Sequence, residues 1–324
     1  MKYISKAAVL IIMAVLVFCF SGCTNADSLK NSDKIKIICT TFSEYDWTRQ
    51  IVGESDRIEI KYLLNNGVDL HNYQPTMADI IEISDCDMFV YVGGASDEWV
   101  ENVLSDAENK DMKVIDLIDV LGDFVREEEI KEGMQPEDEE ENEDEPEYDE
   151  HIWLSVRNAE ICCEALCDAV CELDPNSAEK YRKSLESYIY ELDRLDYDIA
   201  SVTENAPKKT LLFGDRYPFR YFTDDYNLDY YAAFVGCSSE TEASFRTIIG
   251  LSEKLDALNL DTVFIIENSS DRLAKAVIEN SSDRNRKVMT LNSIQSVTAE
   301  KVKKGVTYIS IMRDNLDTLT EALY

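Results

Sequence analysis

Two histidines serve a chain of 324 residues, and neutral imidazole is the commonest side-chain ligand for transition metals. His71 lies in GVDLHNYQPTMADI and His151 in EYDEHIWLSVRNA, at the end of a long acidic run. The residues around His71 predict a loop between a strand and a helix, with Thr76 and Asp79 suited to open that helix as a capping pair. Loops of this kind lie at the carboxyl ends of parallel strands, where α/β folds bind ligands. His151 follows the acidic run and precedes a helical stretch. Taken singly, a histidine in a loop is usually a polar surface residue. As the chain's whole complement, both outside any apolar helical stripe, they are the first candidates for chemistry, and that chemistry is metal ligation.

The elements that must position them form two similar series. IKIICTT (35–41), IEIKYLL (58–64), MFVYV (88–92) and KVIDL (113–117) read as strands. Helical segments begin between them at Asp46, Met77 and Asp97. The pattern repeats with strands at 210–214, 228–235, 261–267 and 287–291, and helices near 217–225, 242–257, 272–280 and 306–323. Strands alternating with helices imply parallel sheets with right-handed crossovers. The expected fold is therefore α/β, with two (β/α)4-type lobes. Between them, 157–173 and 176–202 read as helices separated by Asp174-Pro175, the second about 40 Å long. That helix would join the lobes as a rigid rod.

Lys2 and Lys6 precede an apolar run, Ala7 to Phe20, that ends in Ser21-Gly22-Cys23. This is a signal-peptide pattern, and its end resembles a bacterial lipobox with Cys23 as the lipidated residue. Two acyl chains on Cys23 would anchor the protein in a lipid bilayer, and residues 24–33 would be a tether. The domain reading is 1–23 signal and lipobox, 24–33 tether, 34–126 first lobe, 127–150 a disordered acidic loop, 151–207 inter-lobe helices and 208–324 second lobe. The acidic loop cannot bury enough apolar surface to order itself. Its deletion is accordingly expected to leave fold and affinity intact. The net charge of −33 excludes nucleic acid as a partner. Of nine cysteines, the seven after Cys23 are odd in number without framework spacing, and are read as reduced core residues.

GVDLHNYQPTMADI resembles the histidine loop of the zinc and manganese substrate-binding lipoproteins of ABC importers, with Leu70 in place of the family's proline. CDMFVYVGGASDEWVENVL (86–104) is similar to the strand and helix that follow in that family. DEHIWLSVRNA (149–159) resembles its second histidine motif, with Glu150, Ser155 and Val156 departing from it, and GVTYISIMRDNLDTLTEAL (305–323) its closing helix. The resemblance implies two lobes around a rigid helix, with two metal ligands from each. His71 and His151 carry over directly. The third ligand would fall within 211–222, at Asp215 or alternatively at Gly214 or Arg216. The fourth would fall at Asn292, where the family usually has aspartate, with Glu267 as a substitute carboxylate and Glu44 as a further cleft acid.

A site of two imidazoles and oxygen donors suits Zn2+, with Mn2+ as the alternative. Because both rings must be neutral to ligate, binding is expected to weaken as pH falls through about 6.5. The resemblance implies an extracytoplasmic, membrane-anchored lipoprotein of a Gram-positive type bacterium. This monomeric receptor would pass a divalent metal to an ABC permease and would not be an enzyme. The alternatives are the same fold with a weakened site acting as adhesin or sensor, and a metal-assisted hydrolase. No His-Glu-x-x-His stretch, nucleophile elbow or phosphate loop supports the last of these.

Overall fold

The computed structural model describes residues 34–135, 148–236, 238 and 242–324. The signal, the lipobox with Cys23 and the tether lie outside the described residues. Strands β1 (Ile35–Cys39), β2 (Ile58–Tyr62), β3 (Met88–Tyr91) and β4 (Lys113–Asp116) form a parallel sheet in the order β2-β1-β3-β4. Helices α1 (Phe42–Val52), α2 (Met77–Ser84), α3 (Trp99–Ser105) and α4 (Leu117–Leu121) accompany it. Next come α5 (Val156–Leu173) and α6 (Ala178–Asn205). The second lobe repeats the first: β5 (Thr210–Tyr217), β6 (Asp229–Val235), β7 (Thr262–Ile266) and β8 (Lys287–Leu291) are parallel in the order β6-β5-β7-β8. Its helices are α7 (Arg220–Asp225), α8 (Phe245–Ala257), α9 (Arg272–Glu279), α10 (Ala299–Lys303) and α11 (Tyr308–Leu323). The two-lobed α/β architecture read from the sequence is the one observed.

Burial explains the strands. Leu211 and Phe213 face the main core while Leu212 between them faces a second one beneath α8 and α9, the two-residue alternation of a sheet covered on both faces. In α5, Val156, Ala159, Cys163, Leu166 and Val170 are buried at spacings of three and four, which is one helical face. Ser155 caps this helix by accepting from the Asn158 N–H at 3.0 Å. Helix α6 runs 28 residues, about 42 Å at 1.5 Å per residue. It buries Tyr181, Tyr188, Leu192, Leu195 and Ile199.

One core runs through both lobes and both long helices, and polar ties reinforce it. The Tyr62 hydroxyl donates to the Val297 carbonyl at 2.9 Å and the Ala299 N–H to the Asn65 carbonyl at 2.7 Å. The Tyr308 N–H donates to Asp46 Oδ2 at 2.8 Å. The six described cysteines are buried free thiols, while Cys237 lies outside the described residues.

The acidic segment departs from the expected free loop at both ends. Glu127 pairs with Tyr148 as an antiparallel bridge, and the Gln135 N–H donates to the Ala233 carbonyl at 2.9 Å. Lys131 pairs with Asp229 at 2.5 Å, and Met134 is buried. The physical reason is that β6 is an edge strand whose unpaired backbone groups offer partners. Residues 136–147 lie outside the described residues.

Candidate metal centre

The turn that carries His71 is built by its neighbours. Asp69 caps a short 3₁₀ turn over Leu70–Asn72, its Oδ1 accepting from the His71 N–H at 3.2 Å. Leu70, where the resembling family has proline, is buried and pins the loop. Beyond it, Thr76 and Asp79 form the expected reciprocal cap of α2.

His151 is fully buried. Oδ1 of Asp149 lies 2.8 Å from both its backbone nitrogen and its Nδ1. Trp153 meets the ring edge-on with centroids 5.4 Å apart, and its Nε1 donates to the Ser293 carbonyl at 2.8 Å. On the other side the Gly236 backbone lies so close that a Cβ there would stand 3.0 Å from His151 Cε1 and 2.9 Å from the Tyr217 carbonyl oxygen. Glycine is therefore required at 236.

These two constructions bring the rings together. Nε2 of His71 is 3.1 Å from Nε2 of His151. Nδ1 of His71 lies 2.8 Å from Ser96 Oγ and 3.3 Å from Glu150 Oε2. Glu150 is buried, and its Oε1 accepts from the Ser96 N–H at 2.7 Å. A proton on each Nδ1, beside its carboxylate, would leave both Nε2 lone pairs free for a shared cation.

Electrostatics favours a charged His71. Burial works against its charge, but the Glu150 hydrogen bond and the nearby Asp69 and Glu150 carboxylates outweigh burial and raise its pKa above 6.5. Glu150 is correspondingly held low: burial pushes it up, and the bond to His71 more than reverses that. Asp69 is also held low, with burial opposed by the guanidinium of Arg216. Arg216 reaches across from the second lobe, placing Nη2 2.6 Å from Asp69 Oδ2. Counting Asp69, Asp149 and Glu150 against Arg216 leaves two negative charges around neutral rings, the complement of a divalent cation.

The other sequence candidates do not join the pair. Asp215 turns its carboxylate to backbone, accepting from the N–H groups of Arg216 at 2.8 Å and Ile266 at 3.0 Å. Glu267 accepts from the N–H of Ser293 at 2.6 Å and of Ser296 at 3.3 Å, so it holds the loop after β8. Asn292 closes a turn in that loop by accepting from the Ile294 N–H at 2.8 Å. Glu44 is buried within α1 as the reciprocal partner of the Thr41 cap, accepting from the N–H groups of Thr40 at 2.8 Å and Thr41 at 3.1 Å; it does not face the cleft. Among the described residues no group of three or more His, Cys, Asp or Glu side chains could hold a metal ion.

A second-lobe side chain that does approach the pair is Gln295, whose Nε2 is 3.5 Å from His71 Nε2. It extends from Ile294, which adopts a left-handed backbone with φ 66°, an outlier for a β-branched residue. Sequence reading missed Gln295 and the roles of Asp69, Ser96, Asp149 and Glu150. One signal was present: both histidines stand in an Asp-x-His triplet.

Residues 37–322 match the model of a protein family described as zinc-uptake complex component A, periplasmic. The zinc-binding protein AdcA of Streptococcus pyogenes is 26% identical over 322 residues, covering 97% of this chain. The chain spans 61% of that relative's length. The metal ABC transporter substrate-binding lipoprotein SsaB of Streptococcus sanguinis is 28% identical over 333 residues, covering 100% of this chain and 99% of the relative. The crystal structure of the Zn(II)-bound ZnuA-like domain of Streptococcus pneumoniae AdcA aligns with a TM-score of 0.69 at 27% identity, over 90% of this chain and 99% of that one. The metal-dependent lipoprotein YcdH from Bacillus subtilis aligns with a TM-score of 0.71 at 25% identity, over 90% and 100% of the two chains.

Proposed function

Because the chain belongs to the zinc-uptake complex component A family, we propose that it captures a divalent transition metal outside the cytoplasm and delivers it to the permease of an ABC importer. Zinc is the first choice of cargo and manganese the second. Among the relatives described above, one is named a zinc-binding protein and another a metal transporter lipoprotein. A monomer held at the bilayer through lipid on Cys23 completes the reading.

One observation carries it: the 3.1 Å separation of the two Nε2 atoms. Two imidazoles sharing a tetrahedral zinc at about 2.0–2.1 Å stand about 3.3 Å apart. The rings are thus near shared-ligand spacing, and each Nδ1 already faces a carboxylate, the usual outer partner of a zinc-bound imidazole. His71 and His151 are the proposed ligands. Gln295 is the proposed second-lobe donor, because a half-turn of its amide would present Oε1. Zinc precedes manganese in affinity for such N/O sets.

A specific observation favours the second reading, a weakened site in an adhesin or sensor: Arg216, a cation, stands in the stretch where the resembling family places its third ligand. One experiment separates the two. Full-length protein purified without chelators is analysed for metal and titrated competitively with zinc and manganese. The receptor reading expects about one zinc per chain, lost in the His71→Ala, His151→Ala double variant. Metal content indifferent to that substitution sinks it.

A further inference from the structure

Asp69 has two separate attachments. Its Oδ1 accepts from the His71 N–H at 3.2 Å and lies 4.0 Å from His71 Nε2. Its Oδ2 takes the Arg216 guanidinium at 2.6 Å. The Asp69 and Arg216 side chains are 15% and 17% exposed, so solvent and salt screen the pair weakly. Arg216 also directs Nη1 toward the Ser238 carbonyl at 3.4 Å, which orients it from within the second lobe. One carboxylate therefore connects that lobe to the backbone of a candidate ligand.

The start of the same loop is tied to the second lobe independently, through the Asn65 carbonyl and an Asn66–Thr298 bridge. Beyond Gly67, which has φ 81°, the loop turns away toward His71. A fixed cation near a cation site weakens binding through repulsion, which a structural tie made by the same side chain can offset. Holding the loop is a task that the geometry supports.

We propose that the Asp69–Arg216 pair is a latch that keeps the His71 loop, residues 66–73, against the second lobe and sets how fast a bound divalent ion leaves. This inference rests on the metal-receptor reading above. Loss of one partner from a desolvated ion pair acts mainly on dissociation, whereas loss of a merely repulsive neighbour would retard it. The two accounts predict opposite signs for the same substitution.

The test loads full-length protein with zinc and follows its transfer to excess EDTA. Under the latch, Arg216→Gln releases zinc about tenfold faster, the scale of one charged hydrogen bond, and Asp69→Asn does likewise. The double variant releases no faster than the faster single one, because the same tie is cut once. In metal-free protein, amide hydrogen exchange across residues 66–73 increases in each single variant. Unchanged or slower release from Arg216→Gln, with unchanged exchange across 66–73, overturns the latch. Wild-type protein that takes up no zinc overturns the receptor reading instead, before any variant is compared.

Discussion

Glu150 and His71 lie 79 positions apart in the chain and meet at 3.3 Å, Oε2 to Nδ1. Glu150 is also one of the residues by which this chain departs from the motif it resembles. The Asp149-Glu150-His151 triplet thus presents one candidate ligand and sets a carboxylate against each imidazole, Asp149 at His151 and Glu150 at His71. The close approach is specific: a Cβ on Gly94 would stand 2.5 Å from Glu150 Oε1.

Glu150→Gln should therefore weaken zinc binding while leaving the fold intact. Outer partners of metal-bound histidines are worth about 10–100-fold in affinity, and a loss of that size is expected by competitive titration. His151→Ala should remove measurable binding. An unaltered affinity in Glu150→Gln would show that His71 is oriented by Ser96 alone.

The pH response has opposite signs in the empty and loaded protein. The folded-state pKa of His71 is raised above 6.5. Its contribution to metal-free stability is fully present below about 6.5 and is lost as pH rises through the higher folded value. Zinc competes with that proton, so affinity should climb with pH across the same window and fall as pH drops through it. Calorimetry from pH 5.5 to 8.5 checks the affinity, and a melting comparison of metal-free wild type with His71→Gln isolates the stability term. Affinity independent of pH would remove the imidazoles from the site.

The acidic segment yields a prediction that reverses the one made from sequence. Replacing residues 136–147 with a short glycine–serine linker should leave the fold and zinc affinity unchanged. Removing all of 127–150 should lower affinity by more than about 100-fold, since it takes away Asp149 and Glu150 together. It also removes Gln135 from the edge of β6. Comparing the two deletions by titration and circular dichroism separates spacer from site.

What could be read from the sequence follows from what depends on local pattern. The β-branched runs and helical periodicities located both sheets and the long α6. The sequence reading ends β5 at Gly214. The strand instead continues to Tyr217 through an irregularity between Phe213 and Arg216, on the segment that delivers Arg216 to Asp69. The histidines stood out by scarcity and flanking residues. The second-lobe side chains near them did not, because a carboxylate in sequence carries no mark of whether backbone amides have claimed it. Asp215 and Glu267 are both claimed. Gln295 is presented by the unusual backbone of Ile294, which no residue pattern announces.

Gln295 gives the sharpest test of the second lobe's part in metal capture. It is 6% exposed, with its amide 3.5 Å from His71 Nε2. Glutamate is nearly the same size and exchanges a neutral donor for an anionic one. Gln295→Glu should raise zinc affinity by about tenfold, the scale of a charge-assisted contact, and should steepen its fall at low pH. Gln295→Ala should lower affinity while leaving Asn292 and Glu267 to hold the loop after β8, so the melting temperature should change little. Equal zinc affinities for the three proteins would mean that the metal is held by the first lobe and its histidine pair alone.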